Sequence, residues 1–299
     1  MNPSDHQSMP RTLWWWLCGL TLAWGFNWTA MKVALEEFSP WTFRSLCLGL
    51  GSLLLFAIAR AAGHGLRVPR HLWVRLAVIA FFNVSCWNMM VAFGLTMIPS
   101  GRTAILAFTM PVWSVPLSAW LLGDRITLRK FGALLLGMAG MALLLGEDLF
   151  RLDRAPLGTL LVLTAALSWA IGTVLLKRWP LGLPMGAFTA WSMLLGGVPV
   201  FIGMLIFEER ILRPVGGFAL LALIYNVVIA FAFAQWAWFK ITSTVSVTVS
   251  SISVLATPIV GVLCGFVFLG ERPSLLEYAA LLLVVLAVFA VNLPERKPG

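Results

Sequence analysis

The stretches PVWSVPLSAWLLGDRITL, at residues 111–128, and PIVGVLCGFVFLGERPSL, at residues 258–275, follow one pattern. In each, a proline inside an apolar run is followed by Leu-Gly-acid-Arg and then by a hydroxyl residue, Thr127 or Ser274. The matched positions keep a constant offset of 147 residues, which separates 111 from 258. Because chance rarely preserves so many positions at one spacing, the pattern indicates an internal repeat.

A second series of matches lies upstream, at an offset of 145 residues. Its pairs are Trp24 with Trp169, Lys32 with Lys177, Phe43 with Phe188, and Gly51 with Gly196. The two series predict two similar halves, residues 1–150 and 151–299.

The composition indicates a membrane protein. Of the 299 residues, 60% are apolar and 11% are charged, whereas soluble proteins average about 45–50% and about 25%. High hydrophobicity excludes a disordered chain. The net charge of +9 is typical of the Lys and Arg that cytoplasmic loops collect, so we predict the lipid bilayer, and not nucleic acid, as a partner.

Apolar runs separated by short polar breaks predict ten membrane-spanning helices, since each crossing needs about 20 apolar residues. The predicted spans are Leu13–Val33, Trp41–Ala59, Leu72–Met97, Thr103–Leu122, Phe131–Gly146, Leu157–Leu176, Met185–Phe207, Phe218–Phe239, Val245–Leu269 and Leu275–Leu293.

Five crossings in each half place the second half upside down relative to the first. Such inverted repeats are typical of secondary transporters, whose helices open to either side around a site near the midplane. A repeat with only structural meaning is the alternative. We therefore predict an all-α polytopic membrane protein, with ten transmembrane helices in two inverted five-helix repeats. Basic clusters at residues 60–75 and 125–130 place both termini in the cytoplasm.

The residues for catalysis or metal binding are missing from the predicted spans. The four cysteines show no CxxC spacing, and the three histidines lie in the amino-terminal tail and one polar loop. Among the acidic residues, Glu277 is the nearest to membrane depth, one turn into the last span. We predict no catalytic residues, no metal and no cofactor. Because no carboxylate lies deep in a predicted span to carry a proton, we predict downhill transport. A proton-coupled antiporter and, less favoured, a channel remain as alternatives.

The paired prolines and the turns Leu122-Gly123-Asp124-Arg125 and Leu269-Gly270-Glu271-Arg272 resemble those of the drug/metabolite transporter superfamily, EamA-type. The richness in tryptophan is most similar to that of the YddG-type exporters of aromatic amino acids. This resemblance implies export of small metabolites across the bacterial inner membrane. Hydrophobic or aromatic amino acids are the expected substrates, and other metabolites or amphipathic drugs are the alternative.

Aromatic and small polar residues near the middle of the spans are the candidate substrate-binding site. Tryptophan normally lies at the membrane interface, and an amide facing lipid would lack hydrogen-bond partners. These residues therefore either pack between helices or line a hydrated cavity, and as a group they favour the cavity. They are Trp24, Asn27, Trp28, Asn83, Trp87, Asn88, Trp113, Trp169, Tyr225, Asn226, Trp236 and Ser251.

Two further pairs are predicted to act in gating. Pro111 and Pro258 lack an N–H and should loosen their helices, so they are candidate hinges. Lys32 and Lys177 end matching helices on opposite faces, where they are expected either to snorkel or to act as gates. The fifth and tenth spans are expected to be peripheral, packing on lipid or on a second copy in a homodimer.

Overall fold

A computed structural model describes residues 11–63, 65–151, 155–208, 214–234, 237 and 247–292. All regular structure within these ranges is helical. The helices are α1 (Arg11–Glu37), α2 (Pro40–Ala61), α3 (Trp73–Ala80), α4 (Trp87–Met97), α5 (Ser100–Ala107), α6 (Met110–Leu122), α7 (Leu128–Arg151), α8 (Ala155–Arg178), α9 (Met185–Phe207), α10 (Gly217–Tyr225), α11 (Val247–Leu269) and α12 (Leu275–Asn292). A 3-10 turn at Arg70–Leu72 precedes α3. Two π-helical segments, π1 (Phe81–Cys86) and π2 (Asn226–Phe233), follow α3 and α10.

Several helical stretches are long and apolar enough to cross a membrane, which confirms a polytopic membrane protein. Among the described residues, six stretches meet both criteria: Pro40–Ala61, Arg70–Met97, Ser100–Leu122, Leu128–Gly146, Pro156–Arg178 and Met185–Phe207. Shorter apolar helices cover Gly217–Phe233, Ala256–Leu269 and Leu275–Ala290. The first predicted span lies within α1. The total of ten spans stays a prediction.

Matching turns end α6 and α11. Gly123 and Gly270 adopt positive φ angles of 74° and 65°, the left-handed conformation that glycine accepts without strain. The next N–H in each turn, of Asp124 or Glu271, donates to a carbonyl six residues earlier, at 3.4 Å and 3.1 Å. The two Leu-Gly-acid-Arg sequences therefore form the same helix-ending motif.

The helix contacts pair the two halves in a regular way. Helix α1 packs on α10 and α11, while α8 packs on α3 and on α5 and α6; α2 packs on α9, α5 on α11, and α7 on α12. Exchanging each helix for its counterpart in the other half leaves this set of pairs unchanged. The π segments obey the same relation, because Phe81 and Asn226 stand 145 residues apart. The inverted orientation of the halves and the boundary at residue 150 stay predictions.

The fourth predicted span differs from the expectation of one helix with a proline at its middle. The helix starts earlier, at Ser100, and is interrupted at Phe108 and Thr109. Since Pro111 has no N–H, the Ala107 carbonyl four residues earlier lacks its usual donor. Within the interruption, the N–H and the hydroxyl of Thr109 both donate to the Leu106 carbonyl, at 3.1 Å and 2.6 Å. Pro111 thus lies in the first turn of α6, where a missing N–H costs nothing. In contrast, Pro258 lies inside the unbroken helix α11.

Candidate functional site

A central aromatic cluster joins α1, α4, α5 and α10. Its buried members include Trp28, and Trp87, Phe108 and Tyr225 pack against the cluster, each partly buried. The rings of Trp28 and Phe108 meet edge to face with 6.4 Å between their centroids. Because Phe108 lies at the interruption between α5 and α6, this contact links α1 to the interrupted part of the fourth span.

A second aromatic contact extends the site to α8. The indoles of Trp87 and Trp169 are 4.4 Å apart at their centroids and inclined by 75°. On the opposite side, Tyr225 meets Phe26 edge to face at 5.2 Å, and its hydroxyl donates to the Ala23 carbonyl at 2.8 Å. The structure therefore brings together Trp28, Trp87, Trp169 and Tyr225 of the predicted set.

Three polar groups of the predicted site residues in α1 and π1 are buried without a hydrogen-bond partner among the described residues. They are Oδ1 of Asn27, Nε1 of Trp28 and Oδ1 of Asn83. Burying an amide or N–H without a partner costs about 1–3 kcal/mol in proteins. Such groups are satisfied when water or a ligand enters, so these atoms mark where a polar solute can bind.

The other two predicted amides are held within their own helices. The Nδ2 of Asn88 donates to the Val84 carbonyl at 2.8 Å, and that of Asn226 donates to the Ala222 carbonyl at 3.0 Å. Both side chains are buried. The Oδ1 of Asn226 has no partner, so of these two residues Asn226 is better placed to accept from a solute.

Two predicted tryptophans belong to other clusters. Trp24 packs with a group that includes Leu17 and Ala234, and Trp113 packs with Val112 and Ala287 between α6, α7 and α12. Trp24 and Trp113 were predicted to belong to the site because they lie near the middle of their spans. Depth alone does not specify the direction in which a side chain points. Trp236 lies outside the described residues. Ser251 lies in α11, in a part whose side chains are not described.

The π1 segment connects the site to α8 and α9. The Ser168 hydroxyl donates to the Phe82 carbonyl, and the Ser85 hydroxyl to the Gly196 carbonyl, each at 2.7 Å. A π turn frees backbone carbonyls from their usual helical partners, and such turns occur often at functional sites. The sequence does not predict π1 or π2, because an extra residue in one helical turn leaves no distinct apolar pattern.

Lys32 and Lys177, predicted as a matched pair, have different surroundings. The ammonium of Lys32 donates to the carbonyls of Leu95, at 2.5 Å, and Ile98, at 2.9 Å. Lys32 therefore satisfies the carboxyl end of α4, where a positive charge is favourable, and its snorkelling or gating stays a prediction. Lys177 is exposed at the end of α8.

Arg102, which precedes the fourth predicted span, lies in α5 and is 4% exposed. It pairs with the buried Glu277, whose Oε1 lies 3.5 Å from Nη1, and it also donates to the Leu144 carbonyl. Glu277 in turn accepts from the Ser274 N–H at 2.8 Å, which forms a capping box at the start of α12. A carboxylate is thus buried in the last span, with a cation beside it.

Polar contacts join several helix ends at one end of the bundle, which we call the Glu271 face. They include the Lys32 bonds, a hydrogen bond from Ser39 to Glu208, one from the Gly216 N–H to Glu37, and two bonds accepted by Glu271. The opposite end, where α6 meets α7 and Asp124 is exposed, we call the Asp124 face.

Comparison with known proteins gives a consistent result. The family model of the EamA-like transporter family matches twice, at residues 12–146 and 156–293. The uncharacterized transporter YoaV of Bacillus subtilis is 25% identical over 274 residues, covering 91% of this chain and 94% of YoaV. The uncharacterized inner membrane transporter YedA of Escherichia coli is 28% identical, with 93% and 89% covered. A crystal structure aligns with a TM-score of 0.65 over 94% of this chain and 97% of its own, at 23% identity, and supports the fold alone.

Proposed function

The chain belongs to the EamA-like transporter family, and from this we propose that it is a secondary exporter of hydrophobic and aromatic amino acids and related metabolites. Transport proceeds by alternating access across the bacterial inner membrane, downhill, with both termini in the cytoplasm. YddG-type exporters of aromatic amino acids are the expected functional relatives. The two matches to one family model and the exchangeable helix contacts support two related halves.

One observation carries the substrate class: aromatic rings lie beside buried polar atoms that have no partner. The rings of Trp28, Trp87 and Trp169 offer apolar faces for a hydrophobic side chain. The unpaired Oδ1 atoms of Asn27 and Asn83 accept hydrogen bonds, which an amino group donates. A zwitterion with an apolar side chain satisfies both features.

Downhill transport is supported by the partners of the buried charges. The Glu277 carboxylate already has Arg102 and the start of α12 as partners, so no step of the transport cycle needs it to carry a proton. Arg102 and Glu277 lie at the Glu271 face, at the first turns of α5 and α12.

Transport by purified protein in liposomes tests this function. Vesicles preloaded with unlabelled tryptophan, phenylalanine or leucine should take up the labelled amino acid by counterflow. Trp28→Ala and Asn83→Ala should reduce this uptake at least about tenfold, the loss expected for one well-packed ring or one buried hydrogen bond to a charged group.

Trp120→Ala is the matched control, because Trp120 is 79% exposed on α6 and contacts lipid in the proposed orientation. It should transport like the unmodified protein. Absence of flux for every hydrophobic amino acid would overturn the substrate class. Uptake that requires an imposed proton gradient would overturn the downhill mechanism.

A further inference from the structure

Glu271 holds the start of α5 at the Glu271 face. Its Oε1 accepts from the Ser100 N–H at 2.5 Å, and its Oε2 accepts from the Gly101 N–H at 2.9 Å. The first N–H groups of a helix have no partners within the helix, and the positive end of the helix dipole favours a carboxylate. The turn after α11 is therefore fastened to the first turn of α5.

The two helices also approach closely at this face. A side chain on Gly265 would overlap the Glu271 carboxylate, and one on Gly101 would press against Val262. Farther along, Gly261 of α11 lies against Ala104 of α5. Glycines on both helices thus permit α5 and α11 to pack closely at this face.

Asp124 has the same backbone setting as Glu271, but among the described residues it makes no such contact. Each follows a glycine with positive φ, and each donates its N–H to a carbonyl six residues earlier. The offset of 147 that relates Asp124 to Glu271 also relates Ser100, where α5 begins, to Val247, the first described residue of α11. The Asp124 face therefore offers a second, exposed carboxylate, and the offset predicts a corresponding helix start beside it.

We propose that Glu271 and Asp124 are alternating latches of the transport cycle. Glu271 on the N-terminus of α5 closes one face, and Asp124 on the N-terminus of α11 closes the other after Glu271 is released. In alternating access, closure at one face accompanies opening at the other, and the packing of α5 on α11 places both latches on these two spans. The structure shows the state in which the Glu271 latch is closed. This inference rests on the alternating access of the proposed function, but not on the identity of the substrate.

Hydrogen–deuterium exchange of the full chain in lipid nanodiscs, without substrate, tests the latches. Glu271→Ala should speed exchange at residues 100–103 about tenfold, the effect of losing a charged hydrogen bond. It should slow exchange at the start of α11, because the Asp124 latch then closes more often. Asp124→Ala should leave residues 100–103 protected, and adding it to Glu271→Ala should remove the new protection at α11.

Two further variants complete the test, one that removes a donor to Glu271 and one that serves as a control. Ser100→Pro removes one donor and leaves the carboxylate intact, and Pro99 already has the extended conformation that a following proline requires, with φ −59° and ψ 151°. Since proline is accepted in the first turn of a helix, this variant should reproduce the Glu271→Ala pattern even if that substitution impairs folding. Glu36→Ala is the control, because Glu36 is an exposed carboxylate at the same face, and it should change neither region.

Unchanged exchange at the start of α11 in both Glu271→Ala and Ser100→Pro would overturn the alternation. Persistence of the new α11 protection in the double variant would overturn the role of Asp124. Both readouts are independent of substrate, so they separate a failure of the latches from a failure of the amino acid flux in liposomes.

Discussion

The side-chain amide of Asn83 in π1 lies directly against the Cα of Gly172 in α8, where a methyl group would overlap its Oδ1 and Cγ. Trp169 lies one helical turn before Gly172, and its ring contacts that of Trp87, which lies one turn after Asn83. Because Gly172 has no side chain, the Asn83 amide and the two indoles can pack closely together.

Replacing Gly172 should disturb this packing. We expect Gly172→Ala to lower the free energy of unfolding by about 1–3 kcal/mol, as overpacked cores do, and to reduce transport by moving Asn83. Thermal unfolding in detergent and counterflow in liposomes measure the two effects. Gly132→Ala is the control, since no atom lies within 4 Å of its added methyl group. Wild-type transport by Gly172→Ala would show that the position of Asn83 does not matter.

The Trp87–Trp169 contact should be measurable as a coupling. Edge-to-face aromatic pairs contribute about 0.5–1.5 kcal/mol beyond their buried area. A cycle of Trp87→Ala, Trp169→Ala and the double variant, followed by unfolding in denaturant, should yield a coupling in that range. Trp87→Phe, which retains a ring, should retain part of it. Strictly additive effects would mean that the two rings are independent in solution.

The matched lysines should respond differently to removal of their charge. Lys32→Met leaves the carbonyls of Leu95 and Ile98 without their donor, and hydrogen bonds to charged groups contribute about 1.5–3 kcal/mol. Lys177→Met, at an exposed position, should change stability by less than about 0.5 kcal/mol. Equal melting temperatures for the two variants would contradict the role of Lys32 at the end of α4.

Breaking the Arg102–Glu277 pair should be costly. Arg102→Met leaves a buried carboxylate without its cation, and such losses cost about 3–5 kcal/mol. Adding Glu277→Gln removes the uncompensated charge and should restore much of the stability. Because the pair is buried, added salt should change neither result. A loss that salt abolishes would place the pair at the surface.

Arg44 should be replaceable without loss of stability. It is 2% exposed, and its guanidinium contacts the Met31 sulfur at 2.7 Å and the Phe43 ring at 5.2 Å, while Nε has no partner. An apolar residue of similar length avoids burying this charge, so Arg44→Met should unfold at the same temperature or higher. A fall of several degrees in melting temperature would show that the guanidinium is better compensated than these contacts indicate.

Much of the fold follows from the sequence pattern. Long apolar runs predict membrane helices because the bilayer interior offers no other partner for backbone groups, and the helices confirm this. The repeated Leu-Gly-acid-Arg turns predicted an EamA-type family member, which the family match confirms. They also end α6 and α11 as glycine at such positions requires.

The site was predictable only in part. Trp28, Trp87, Trp169, Asn27 and Asn83 were chosen for their depth, and the structure places them at or beside the central cluster. Phe108 was missed, because its importance comes from the interruption before Pro111. Gly172 was also missed, although it is the counterpart of Asn27 at the 145-residue offset, and that mismatch was a usable signal.

By itself the sequence determined that long apolar segments form helices suited to a membrane, and where two of these helices end. These properties depend on local hydropathy and on backbone conformations that few residues adopt. Only the tertiary structure decided that Trp113 faces α7 and α12, that Lys32 binds the end of α4, and that Glu271 but not Asp124 holds a helix start. The reason is that helical periodicity specifies the face on which a residue lies, whereas the neighbour at that face depends on how distant helices pack.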